Sequence, residues 1–374
     1  MGETIMRLGF AGKLDRYFFK HKNLVLLGVL RIALLLRVMH HVFTSRSVEL
    51  EYSALNQLHQ RSLLIDFMSK TFFFDLPSSV FSAIFIASAI GTLFGIFTRV
   101  SVFVFGVFLM YSTGFSASLG VFDHENCLVS QLFIAMAFIP GVTNLSVDRM
   151  VSYFIKYRKG EYFRLYEAFY QVKSSVWGLR LLLILLACVY FTAGFSKVRF
   201  GGLKWMDGKT LTFYLDGHAS PAKHGRIPPM FLSSADLKPA ETWKDGFGLY
   251  SYSYGNRQYS GVGRKAAEFV SSIPALIMTL SILTVLFELS SFLIFIDGWP
   301  RTIYLLCAIM LHVSISLFMN LDFLSYRIAD FLLIDWIWVF RQVPALIPNK
   351  IKEIYAQLQA FFSQPVSRLD KELA

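Results

Sequence analysis

The sequence predicts an all-α protein, a polytopic membrane bundle of about eight helices with one long extracytoplasmic loop. Composition is the first sign, since 55% of the 374 residues are apolar and only 16% are charged. The mean hydropathy of +0.51 agrees with it. One soluble core of this size could not bury so much apolar surface. The second sign is recurrence: apolar runs fall at 23–44, 78–97, 100–118, 126–146, 177–197, 270–297, 302–320 and 324–346, each near the ~20 residues that cross a bilayer.

The first run follows a mixed segment carrying Arg7, Lys13, Arg16, Lys20 and Lys22 and has no small-residue cleavage site, so it reads as a retained span. Orientation follows from the Lys and Arg of the short connections. With a cytoplasmic N-terminus, Arg99, the segment holding Arg149, Lys156, Arg158, Lys159, Arg164 and Lys173, then Arg301, Arg341, Lys350 and Lys352 all fall inside. Glu49, Glu51, Asp66, Asp75 and the acidic turn "GVFDHENC" fall outside. Both termini are thus expected in the cytoplasm.

Residues 149–175, with "RMVSYFIKYRKGEYFRLYEAFYQVK", interleave aromatic and basic groups and read as an interfacial element. The loop 198–269 is long enough for a small extracytoplasmic lobe, with turn residues in "GHASPAKHGRIPPM" and aromatics in "LYSYSYGNRQYSGVGR". Residues 1–346 form the transmembrane domain on this reading, and 347–374 an amphipathic cytoplasmic tail. The net charge of +11 is what basic inner boundaries produce, and no nucleic-acid partner is needed to explain it. Cys127, Cys188 and Cys307 show neither CxxC nor Cys/His spacing, so neither a disulfide framework nor a metal site is expected.

Polar groups at membrane depth are costly and tend to face the bundle interior. Asp123 and His124 sit at the outer mouth of the fourth run, Lys197 at the outer end of the fifth, and Asn320 at the outer end of the seventh with His312 two turns deeper. These positions converge on the outer leaflet. Glu288 lies within the sixth run, and Arg31 and Arg37, two turns apart in the first, are placed to meet it or an inner acid as structural intramembrane charges. Lys197 has two readings: an anchor that snorkels to the headgroups, or an amine kept in a water-poor place that favours the neutral form a base requires.

The stretch "YFTAGFSKVRFGGLKWMDGKTL" resembles an element of the vitamin K-dependent gamma-carboxylase and its bacterial relatives, the horizontally transferred transmembrane domain family. In order along the chain, "GIFTRVSVFVFGVFLM", "DHENCLVSQLFIAMAFIPG" and "LHVSISLFMNLDF" resemble other segments of that family. The resemblance runs from about residue 24 to 340. It implies that Lys197 is the base and that His124 stabilises the reaction's intermediates; Asp123, His312, Asn320 and Trp205 are the candidate substrate-binding residues around them. It implies reduced vitamin K or another quinol, oxygen and carbon dioxide as co-substrates, no metal, and a secreted peptide modified at the extracytoplasmic face. One departure is Ser196, where the vertebrate enzyme has a second lysine; another is the lack, after the last run, of the large extramembranous region that grips the propeptide. The alternative is a non-catalytic membrane factor for maturation or export of a secreted peptide, with the 198–269 loop holding the partner. A transporter ranks last, because the runs lack paired Gly/Pro interruptions.

Overall fold

A computed structural model of the chain describes residues 10–22, 24–44, 65, 67–68, 77–118, 124–157, 174–215, 231–233, 249–251, 261–319 and 323–342. Among the described residues the fold is all-α, apart from two short antiparallel ladders: β1 (His21–Lys22) with β2 (Ser174–Ser175), and β3 (Phe231–Ser233) with β4 (Leu249–Ser251). The expected lobe 198–269 and the tail 347–374 lie largely or wholly outside the described residues.

Each apolar run becomes helical. The first three give α2 (Val25–Thr44), α3 (Ser78–Phe94) and α4 (Thr98–Ser118), preceded by α1 (Phe10–Phe19). The fourth gives α5 (His124–Ala137) and stops short of its predicted end: Pro140, with no N–H to donate, opens a 3₁₀ turn over Pro140–Thr143. Next come α6 (Val147–Tyr157), α7 (Trp177–Ser196), α8 (Lys209–Leu215) and α9 (Gly261–Ser271). The sixth and seventh runs give α10 (Pro274–Leu289), extended by a 3₁₀ segment to Phe295, and α11 (Trp299–Met319).

The eighth run is divided into α12 (Leu324–Leu333) and α13 (Trp336–Gln342). Asp335 explains the division: it accepts from the backbone N–H of Trp338 at 3.2 Å, as a residue opening a new helix does, and pairs with Lys22.

Among the described residues, four helices are long and apolar enough to cross a membrane: Val25–Phe43, Trp177–Asp207, Pro274–Phe295 and Trp299–Met319. Ser79–Phe94, Thr98–Gly114 and Glu125–Ala137 are shorter apolar helices beside them. Outward faces carry exposed Ile86, Ile90, Phe103, Leu283, Leu286 and Met310, a surface suited to lipid. On α6, exposed Met150, Val151, Phe154 and Ile155 form one apolar face at the spacing of an interfacial helix.

The core joins Leu27, Leu34, Phe105, Phe133, Leu182 and Leu305 from α2, α4, α5, α7 and α11. Within it α7 packs on α5 and α10, and α12 bridges α11 and α2. A tight spot fixes α2 against the chain following α5: a Cβ on Gly28 would lie 2.5 Å from the carbonyl oxygen of Asn144. Asn144 in turn donates to the carbonyl of Leu24 at 3.1 Å.

Candidate functional site

Spacing on α7 decides which way Lys197 faces. Arg180, Leu183, Ala187, Tyr190, Gly194 and Lys197 recur every three or four residues and so share one side of the helix. The first five are buried in the bundle. Long helical side chains lean toward their own N-terminus, and Nζ of Lys197 lies 3.4 Å from the carbonyl oxygen of Ala193, one turn back. It therefore points away from the end of the apolar helix, the reverse of a snorkelling anchor.

There it meets both carboxylate oxygens of Glu288 on α10, at 2.7 and 2.8 Å. The lysine side chain keeps 23% exposure and the glutamate 9%. Gly194 makes the meeting possible. A Cβ at that position would stand 2.8 Å from Cβ of Glu288 and 3.1 Å from the backbone nitrogen of Leu289, so any other residue would push α10 away.

Beyond Ser196 the helix widens into a π-helical turn over Lys197–Gly201 and tightens into a 3₁₀ segment over Gly202–Asp207. Single π turns are rare and recur at functional positions. This one starts at Lys197 itself. The 3₁₀ segment carries Trp205, whose ring centre is 5.2 Å from Nζ of Lys197, within cation–π range.

Deeper in the bundle lies a second polar centre. Asp330 of α12 is fully buried and accepts from the hydroxyl of Tyr190 at 2.9 Å. Its oxygen Oδ2 is 3.5 Å from Nδ1 of His312, within ion-pair range but outside hydrogen-bonding geometry. Aromatic rings enclose the pair: His312 stacks on Phe323 at 5.2 Å and on Tyr190 at 5.8 Å, and lies 4.9 Å from Tyr326. Tyr304 stacks on Phe287, the neighbour of Glu288, at 4.4 Å and meets Tyr190 at 5.7 Å. It thereby links the two centres.

The three residues read as intramembrane charges do not meet one another. Arg31 is fully buried and donates to the carbonyl oxygens of Val142 and, at 2.7 Å, Leu145, at the turn that ends α5. Backbone carbonyls there have no helical partner and carry partial negative charge, which is what a guanidinium can use. Arg37 forms a two-pronged pair with Glu125 at 3.0 and 3.1 Å, and Glu125 also accepts from the N–H of Ser325 at 2.7 Å. That contact ties α2, α5 and α12. Glu288 is left for Lys197.

His124 opens α5, but its side chain lies outside the described residues, as do Asp123 and Asn320. His312 and Trp205 are described: Trp205 lies over the Lys197 amine, while His312 belongs to the Asp330 centre. Sequence reasoning missed Asp330, Tyr190 and Tyr304. An acid inside the apolar stretch "YRIADFLLID" was a signal for the first. Tyrosines in apolar runs give none, because they occur at interfaces and in cores alike.

At the opposite end of α7 stands an ionic clasp. Asp297, between α10 and α11, accepts from both terminal nitrogens of Arg180 at 2.8 and 2.7 Å and from Lys20 at 2.9 Å, and contacts Arg301 at 2.6 Å. The Arg180 guanidinium also covers the ring of Tyr17 at 3.7 Å. Burial raises the Asp297 pKa, but the bonds from Arg180, the charge of Arg301 and the bond from Lys20 outweigh it and hold the carboxyl well below its usual range.

Comparison with protein-family models, with curated proteins and with solved structures gives no match. The class of protein rests on what has been described: an all-α chain with helices of membrane-spanning length and a polar, aromatic centre enclosed between them.

Proposed function

We propose that this chain is an integral membrane enzyme in which Lys197 is the base toward a quinol-type, lipid-soluble substrate, and that it modifies a peptide at the extracytoplasmic face. The eight apolar runs span the bilayer on this reading, with both termini in the cytoplasm and the site toward the outer leaflet. The observation that carries it is the inward turn of the Lys197 amine onto Glu288, one helical turn back from the end of α7. An anchor has no use for that arrangement.

The surroundings fit a flat apolar molecule arriving sideways from lipid. Phe191 and Phe195, stacked at 5.9 Å, are exposed on the other side of α7 from Lys197, Phe200 is exposed in the π turn that Lys197 opens, and Trp205 offers a ring face next to the amine. A bound quinol would supply a hydroxyl whose loss of a proton makes the ring oxidisable. Lys197 would take that proton, Trp205 would orient the ring, and Glu288 would hold the amine in place and exchange a proton with it. An ammonium beside a carboxylate and an amine beside a carboxylic acid differ by one proton along a 2.7 Å contact, so Glu288 can free the amine without charge leaving the pair.

The test uses the full chain in lipid nanodiscs with reduced vitamin K and oxygen, following loss of the quinol by chromatography. Oxidation by the native chain that disappears in Lys197→Arg supports the base. Absence of turnover in the native chain, with a co-expressed secreted peptide still depending on the protein for maturation, favours a non-catalytic factor.

A further inference from the structure

The bundle holds more ionisable chemistry than a single base uses. Glu288 has Lys197 as its partner. Asp330 has no Lys or Arg partner among the described residues; it has His312 and the hydroxyl of Tyr190. Three polar atoms of these buried side chains have no hydrogen-bond partner among the described residues: Oδ1 of Asp330, Nδ1 of His312 and the hydroxyl of Tyr304. All three belong to one cluster, packed ring against ring through Tyr190.

A lone carboxylate at this depth is costly, and His312, with Nδ1 3.5 Å from Oδ2 of Asp330, is the group placed to share a proton with it. The ring of Tyr304 lies on that of Phe287, the residue before Glu288, and meets that of Tyr190, whose hydroxyl bonds Asp330. We propose that Lys197, Glu288, Tyr304, Asp330 and His312 form a proton-exchange chain, in which the Asp330–His312 pair is a buried reservoir filled and emptied through Tyr304.

The steps balance. A proton reaching Nζ of Lys197 passes to Glu288 and leaves the amine neutral. Glu288 then gives its proton to the Tyr304 oxygen as that hydroxyl releases its own to Oδ1 of Asp330, so the phenol ends as it began and no electrons move. The Tyr304 hydroxyl bonds neither acid in this structure, so each transfer needs a side-chain rotation or one intervening water. Lys197, the most exposed member, is the solvent end, and Asp330, fully buried, is the far end.

Such a chain exists whether or not Lys197 acts on a quinol, and it is tested with no substrate present. Infrared spectra of the full chain in nanodiscs, at a pH where both acids are protonated, show carboxylic-acid carbonyl bands that Glu288→Gln and Asp330→Asn assign. On transfer to heavy water the two bands shift together in the native chain. In Tyr304→Phe the Asp330 band is expected to lag by about tenfold or more while the Glu288 band keeps its rate. Folding is not at risk, because the hydroxyl removed has no partner among the described residues. Lys197→Met, which closes the solvent end, slows both bands. An Asp330 band that exchanges at the native rate in Tyr304→Phe overturns the proposal, and so does the lack of any protonated band from either acid in the folded protein. Loss of quinol oxidation in Lys197→Arg bears on the enzyme alone, so the two readings can fail separately.

Discussion

Nζ of Lys197 lies between the two carboxylate oxygens of Glu288, a residue 91 positions away, and the contact depends on the absence of a side chain at Gly194. Helix propensity by itself favours alanine over glycine by about 1 kcal/mol. The packing demands the opposite. Gly194→Ala is therefore expected to lower the melting temperature of the purified protein by an amount that corresponds to about 1–3 kcal/mol of overpacking. A variant as stable as the native chain, or more so, would show that α10 does not approach α7 this closely.

The Arg37–Glu125 pair is almost wholly buried and also holds the start of α12 through the N–H of Ser325. Glu125→Ala leaves a buried guanidinium without its carboxylate, which costs about 3–5 kcal/mol. Replacing both partners, as Arg37→Met with Glu125→Leu, should recover much of that loss. The check is a double-mutant cycle on thermal unfolding; simple additivity of the two single losses would dissolve the pair.

Only part of this was legible in the sequence. Lys197 and Glu288 each stand out as a charge in an apolar run, yet nothing local says that they meet, because the contact is set by the crossing of two helices at a glycine. Arg31 was expected to seek an acid and uses backbone carbonyls at the end of α5 instead. Backbone acceptors carry no side-chain signature. The division of the eighth run was encoded in Asp335 ahead of "WIWVF", a helix-opening residue masked by its apolar surroundings. Tyr304 became meaningful only once its ring was seen packed between Phe287, next to Glu288, and Tyr190, which bonds Asp330.

Acid should loosen the end of α7 that carries Arg180. The folded pKa of Asp297 lies below its unfolded value of about 3.9, so the folded chain binds fewer protons there. Its contribution is present in full above about pH 4 and fades as pH falls toward the lower folded value. Unfolding followed between neutral pH and pH ~2 should show a loss of stability in the acid range. Asp297→Asn should be less stable at neutral pH and should lack that acid-dependent portion; the same acid dependence in the variant would reassign it to another carboxylate.

The Lys and Arg distribution predicts sidedness. A reporter fused after Lys159 should register in the cytoplasm, and one fused after Gly255 outside it. Swapped signals would move Lys197 to the inner leaflet and remove the extracytoplasmic peptide from the account.

The central claim is that Lys197 moves a proton, and Lys197→Arg addresses it most directly. Arginine keeps the positive charge and the pairing with Glu288, but its guanidinium stays protonated at any accessible pH and cannot accept a proton. Quinol oxidation by the full chain in nanodiscs, at equal protein content and equal melting temperature, is expected to fall by about a hundredfold or more in Lys197→Arg, the scale of a lost general base. Partial recovery on adding a small primary amine would strengthen the assignment. Native-level oxidation in the arginine variant would contradict it and leave Lys197 as one half of a structural ion pair.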